Sequence, residues 1–500
     1  PGKWVLRLRR GAIYVLGVAL CSAWVVYPVI RYGKWASQNE FLQHSASADS
    51  YGAKQVFHWL VRGDLLDAGR LPVLTIFSAV GLVVCLLTMK QRPLHRALVG
   101  VLSFSLVLFF GRPTLGPVID LLPGSHDLFL RRFLMGVQLS ALLLAGVGAV
   151  AIKDLAVRLS RNLRSGRWGK APRLVGPGIA GLLLVAALAP AWAQLARYDG
   201  GDASDIASQQ AADSTAGREL GAIVTELRSL RPGRVYAGLP APSWGGSFTV
   251  GLVPVFKYLS NLDFDIVGYT LRTASLMTDP EAYFDENNRG DYGVFGIRYL
   301  VLPAGRAPVP RSTLLVRSGI YDLWSVDGAG SGYVDVASTQ GSLTADRTDI
   351  GSRTEGYLDS ALPSEHLYRT VAFGGAPAAA DTTTPTSPPP GEVGSVISER
   401  DRLDLGRITV RVAATATAAV VLKVSFDPGW RASIDGVDVP TYMVSPALVA
   451  VTVAPGTHLI RFQYVGFQYY PELFGLAGLT VFVLAVGARR RSTARRRARA

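Results

Sequence analysis

The sequence predicts a polytopic α-helical membrane protein of about six spans, with a large external α/β region and a C-terminal jelly-roll-like β-sandwich. Three observations predict it. Of the 500 residues, 49% are apolar and the mean hydropathy is +0.26, more than one soluble domain needs. The apolar residues gather into uncharged runs, and the basic residues gather between those runs. Ahead of the last run, short stretches alternate apolar and polar residues between turn signals, as half-buried strands do.

The apolar runs lie at 11–30, 71–89, 98–110, 133–152, 174–192 and within 470–488. Crossing about 30 Å of hydrocarbon takes about 20 helical residues at 1.5 Å each. The run 98–110 reaches that length only with flanking residues and is otherwise re-entrant. The first run lacks a small-residue cleavage site and is too long for a signal peptide. Segments 1–10, 90–96, 153–173 and 489–499 hold 21 of the 51 Lys and Arg, against a single acid, Asp154. The rest of the chain carries 30 basic and 36 acidic residues. This is the positive-inside pattern, not a nucleic-acid signature. It predicts a multi-pass protein of the bacterial plasma membrane with both termini cytoplasmic and the large domain extracytoplasmic. Cys21 and Cys85 both fall in apolar runs, so no disulfide scaffold is expected.

The predicted organisation is a membrane domain at 1–193 with five spans and external loops at 31–70 and 111–131, followed by an external α/β domain at 194–373. A Pro/Thr-rich linker at 374–394, an external β-sandwich at 395–467, a last span at 470–488 and a basic cytoplasmic tail at 489–500 complete it. The stretch 51–66 is amphipathic, with Val56, Trp59, Leu60 and Leu66 on one side, and reads as an interfacial helix. Stretch 214–230 reads as a helix, and 234–237, 294–302 and 321–326 as strands. Asp435-Gly436 marks a two-residue hairpin turn, because that turn needs residues tolerating positive φ.

Among motifs, Asp263-Phe-Asp265 has the form used to hold a metal beside a nucleotide-sugar, a chance match at three residues. Asp279, Glu281, Asp285 and Glu286 suggest a divalent cation or, more simply, a solvated acidic loop. No metal-ligand spacing, P-loop, nucleophile elbow or dinucleotide fingerprint occurs. Loop 111–131 is richer: it holds Arg112, Asp120, His126, Asp127 and Arg131, with Arg132 next to it. Ionisable groups at a membrane face are costly unless paired or employed. Arg112, Arg131 and Arg132 are candidates to bind a lipid-linked phosphate bidentately, and Asp127 to act as base, with ordinary headgroup contacts and Arg–Asp127 pairing as the plain reading. Asp64 in the first loop invites the same two readings. Trp244, Trp324 and Trp430 are candidates to stack on glycans, with core packing the default.

The residues Asp427-Pro-Gly-Trp430, Ile434-Asp435-Gly436, Pro440, Ala454-Pro-Gly456 and Arg461-Phe-Gln-Tyr464, with the run after them, resemble those of the YfhO-like bacterial membrane proteins. Asp291-Tyr-Gly-Val-Phe-Gly-Ile-Arg-Tyr-Leu-Val-Leu302 is similar to a strand element of the same family. The resemblance covers about 290–490 and, through topology alone, the membrane part. It implies a glycosyltransferase of the GT-C type that inverts the anomeric centre. The donor would be a polyprenyl-phosphate-linked sugar and the acceptor a cell-envelope glycan, with no metal or a loosely held divalent cation. It also implies an essential acid in the first external loop, where this chain has Glu40, Asp49, Asp64 and Asp67 without a family motif around them. On that basis the chain corresponds to the C-terminal half of such a protein. The alternative is a non-catalytic, membrane-anchored glycan-binding or envelope-assembly subunit. A transporter is disfavoured by the near-absence of charge inside the runs.

Overall fold

The computed structural model describes residues 2–122, 124–164, 175–239, 248–268, 275–328, 332–382 and 393–497. The chain divides into two compact units, one of residues 41–210 and the other of 1–40 with 211–500. Among the described residues, five helices are long and apolar enough to cross a membrane. Among them is α1 (Gly2–Tyr32), which opens the chain.

The unit 41–210 is helical. It runs through α2 (Ala46–Asp49), α3 (Gly52–Arg62), α4 (Asp64–Asp67), α5 (Val73–Thr88), α6 (Pro93–Phe110), α7 (Arg112–Leu115), α8 (Leu134–Arg164) and most of α9 (Val175–Asp213). The run expected to be short is not the short one. Pro93 starts α6 four or more residues before the apolar stretch, since its fixed φ and missing N–H suit a first helical turn, giving 18 residues. Helix α5 instead stops at 16 residues, roughly 24 Å at 1.5 Å each. Helices α5 and α8 meet where each has a glycine: a Cβ on Gly81 would run into the Leu144 carbonyl, and one on Gly148 into that of Phe77. Ser78 Oγ donates to the Ala141 carbonyl across the same seam, at 2.8 Å. Without a hydrophobic drive between helices in lipid, such close backbone approach supplies the packing.

Two expectations change here. The amphipathic stretch becomes α3, but its apolar side is covered by protein: Val56 is fully buried with Phe109 and Val137, and Trp59 and Leu60 pack around them. Helix α9 continues past residue 193 to Asp213, so the expected boundary falls inside a helix; no proline follows residue 193 within it.

The other unit contains α10 (Ala216–Ser229), β1 (Arg234–Tyr236), β2 (Thr249–Val250), β3 (Val253–Pro254), α11 (Val255–Ser260), β4 (Ile266–Val267), α12 (Thr278–Ala282) and α13 (Arg289–Val294). It continues with β5 (Ile297–Pro303), β6 (Ser312–Ser318) and β7 (Tyr321–Val326). These build a mixed sheet of order β4-β1-β5-β7-β6, parallel through β4, β1 and β5 and antiparallel beyond. Helix α10 buries Leu220, Ile223, Val224 and Leu227, at helical spacing. The strand expected from 294 starts three residues later, at Ile297: α13 runs to Val294, and Gly296 (φ +65°) turns the chain between them.

Next come β8 (Val334–Ala345), α14 (Ile350–Leu358), β9 (Leu367–Phe373), β10 (Gly394–Arg402), β11 (Arg407–Ala414), β12 (Ala418–Ser425) and β13 (Trp430–Ile434). The series ends with β14 (Val437–Val439), β15 (Tyr442–Val444), β16 (Leu448–Val453) and β17 (Gly456–Tyr464). One sheet has order β10-β11-β17-β13-β14, and β12-β16-β15-β9-β8 closes into a barrel. Ile408, Val410, Val412 and Ala414 alternate inward along β11. Asp435 (φ +51°) and Gly436 (φ +89°) form the anticipated two-residue turn between Ile434 and Val437. Because β8 pairs with β12 and β9 with β15, this β-structure is not confined to 395–467. The first part of the expected linker is also tied down, since Thr382 and Thr339 exchange hydrogen bonds of 2.9 and 2.7 Å; residues 383–392 lie outside the described residues.

Helix α15 (Tyr470–Arg497) follows and packs on α1. Trp24 stacks on Phe474 (ring centroids 5.0 Å apart), and Gly17 leaves room for Leu484. After α1, Trp35 stacks on Phe373 at 5.1 Å and Ser37 Oγ donates to Asp279, so residues 33–40 belong with the β-rich part.

Candidate functional site

In the unit 41–210, the loop before α3 is shaped by left-handed residues. His44 (φ +57°) and Ser50 (φ +69°) flank α2, which Ser45 caps by accepting from the Ala48 N–H. Ser50 Oγ donates to the Phe109 carbonyl, and Gly111 (φ +68°) lies so close to the Asp49 carbonyl that no Cβ fits. The loop is thus held on the end of α6, and the next residue, Arg112, reaches Asp49. Its guanidinium is 3.1 Å from Asp49 Oδ1 and donates to the Ser125 carbonyl at 2.7 Å. The two side chains are only 24% and 19% exposed, where an ion pair is poorly screened. His44 Nδ1 lies 3.8 Å from the other Asp49 oxygen.

Helix α2 also packs on the turn Leu130–Phe133. Arg131 lies over the Tyr51 ring (5.8 Å) and Arg132 over Phe129 (4.6 Å), both exposed. The three arginines singled out in the sequence are therefore gathered around α2. Asp49 is the carboxylate that pairs with Arg112; Asp127 is exposed on the turn Ser125–Asp127, whose first carbonyl receives Arg112. Asp64 stands exposed at the start of α4 and makes no hydrogen bond or ion pair among the described residues. Asp67 is consumed structurally. Its carboxylate caps α5, accepting from Leu74 N, Thr75 N and Thr75 Oγ1 at 2.8 to 3.0 Å.

In the other unit, the acids that suggested a cation or a solvated loop diverge. Asp279 is fully buried on Ser37 and the Glu40 N–H, and Asp285 holds Asn287. Glu286 accepts from Tyr236 and Arg306, both at 2.9 Å. Burial pushes Glu281 up to about 8 despite nearby Arg234. Asp265 of the Asp-x-Asp stretch pairs with Arg234 at 3.0 Å. No group of three potential metal ligands occurs among the described residues.

The tryptophans separate too. Trp430 is 8% exposed and packs on Tyr464, so its ring faces are covered by protein and it is not free to stack on a sugar. Trp324 is half-buried against the core in β7. Trp244 lies outside the described residues.

A scan against protein-family models, a search of curated proteins and a search of solved structures each found no match. Asp49 is one of the four first-loop acids of the sequence, and nothing around it there sets it apart from Glu40, Asp64 and Asp67. The partner of Asp49, 63 residues away, was visible only in the fold.

Proposed function

We propose that this chain is a six-span membrane protein related to the polyprenyl-phosphate-sugar transferases. It would act on cell-envelope glycans at the outer face of a bacterial plasma membrane, with the basic segments in the cytoplasm. The YfhO-like resemblance and a jelly-roll origin for the β-structure are part of the same reading. The observation that carries it is the assembly of Asp49, Arg112, Arg131 and Arg132 around α2, beside long apolar helices. Arg131 and Arg132, exposed and aromatic-backed, would hold the carrier phosphate, while Arg112 orients Asp49. The acceptor oxygen would bond to the anomeric carbon as the bond to the carrier phosphate breaks, inverting the centre. The proton would go to Asp49 and the departing phosphate would stay on the arginines.

In a complementation assay for envelope-glycan transfer, Asp49→Asn should lower transfer by about a hundredfold. Arg131→Gln with Arg132→Gln should lower it as well. Unchanged transfer in both would overturn the assignment. The second reading, a non-catalytic envelope-assembly subunit, is favoured by Arg112 spending its donors on Asp49 and Ser125, as a strut would. It requires Asp49→Asn to lower the melting temperature while transfer persists.

A further inference from the structure

A cavity of about 430 Å³ opens in the β-rich unit, between the end of α10, the loop before β4 and the end of β10. This lies within the size range of small-ligand sites, roughly 300–1,000 Å³. Its charges balance. Arg228, Arg231 and Arg402 face Asp263, Asp265, Asp401 and Asp404, and the guanidinium of Arg234 lies against Asp265. Two pairs satisfy themselves, Arg234 with Asp265 at 3.0 Å and Arg402 with Asp404 at 3.0 Å. That leaves Arg228, Arg231, Asp263 and Asp401, none of which makes a side-chain hydrogen bond or ion pair among the described residues. Asp263 is held with φ +66°, a conformation that costs a non-glycine residue energy. Aromatic rings complete the wall: Phe264, with Arg228 over it at 5.9 Å, and Tyr333, with Arg234 over it at 5.6 Å.

An anion would meet Asp263 and Asp401, and a cation would meet Arg228 and Arg231. Either ligand leaves one pair of charges facing its own sign. A neutral ligand carrying many hydroxyls uses all four, because each hydroxyl donates to a carboxylate and accepts from a guanidinium, while C–H faces lie on the rings. We infer that this cavity is a binding site for a neutral oligosaccharide, with Asp263, Asp401, Arg228 and Arg231 as its hydrogen-bonding residues and Phe264 as a stacking surface. The inference shares only the ligand class with the transferase reading. It is tested by binding without transfer, so either can fail alone.

The test is calorimetric titration of the full chain, in a detergent whose headgroup is not a sugar. The probes are neutral trisaccharides of hexoses and pentoses (maltotriose, mannotriose, xylotriose, arabinotriose), with pyrophosphate and spermidine as charged controls. At least one trisaccharide should bind saturably below about 1 mM, and Asp263→Asn with Asp401→Asn should weaken it about tenfold or more. Phe264→Ala should weaken it as well, whereas Asp438→Asn, an exposed acid of β14 outside the cavity, should not. Unaltered melting temperatures in the asparagine variants separate lost binding from lost folding. The inference is overturned if no trisaccharide binds, if Asp263→Asn with Asp401→Asn leaves affinity unchanged, or if pyrophosphate or spermidine binds better.

Discussion

Asp291 is fully buried, accepting from the Asp285 N–H at 2.8 Å and from Asn288 Nδ2 at 3.0 Å, and burial pushes its carboxyl up to about 7. Glu281, raised to about 8, behaves alike. A carboxyl with a raised folded-state pKa binds more protons folded than unfolded, so its contribution is present at acid pH and lost as pH rises through the folded value. Asp335 is opposite: burial opposes its charge, but Lys423 at 3.6 Å and His366 at 3.4 Å outweigh it and bring it down to about 2. Its contribution is lost as pH falls from the usual carboxylate range toward that value. The melting temperature should therefore peak at mildly acidic pH and fall toward pH 8, and Asp291→Asn should flatten the alkaline side. A flat wild-type profile from pH 5 to 8 would refute this; the Asp291 share is about 4 kcal/mol at most. Asp67→Ala should cost about 1–3 kcal/mol, because two N–H groups of α5 lose their acceptor. Thermal unfolding in detergent measures it.

At the scale of elements, apolar runs become helices because hydrocarbon leaves the backbone no other partner, so their existence follows from composition. Their ends do not. Pro93 lengthened α6, and α9 ran through an expected boundary, past Pro190 and Gly200-Gly201, which disfavour a helix locally. How helices meet is decided by side chains far apart in sequence. Gly81→Leu would force α5 off α8, since the added atoms meet the Leu144 carbonyl, backbone that cannot rotate away. A loss of at least 3 kcal/mol is expected, the upper part of the range for overpacking. Gly100→Leu, where a Cβ meets open space, is the control in the same melting experiment. The Asp435-Gly436 turn was legible because its positive φ values select its residues locally.

At the scale of the whole molecule, strands β8 and β9 enter the barrel from before the Pro/Thr-rich stretch, which a reading along the chain cannot see. Residues 395–467 alone leave the edges of β12 and β15 without their partners. That fragment should be unfolded by circular dichroism and by amide dispersion in NMR, whereas 332–467 should fold; a folded short fragment would contradict the barrel. The candidate site was legible in part. Arg112, Arg131 and Arg132 stood out because charge beside apolar runs is costly, while Trp430 misled because an aromatic residue in sequence does not declare which face is covered. The sequence by itself determined the apolar helices, the clustered basic residues and the local turns, since each depends on near neighbours and solvent transfer. Only the tertiary structure decided that Asp49 answers Arg112, that the acids of 279–286 diverge and that Asp263 and Asp401 face one cavity. Those pairings join residues far apart in the chain, and burial, not spacing, selects them.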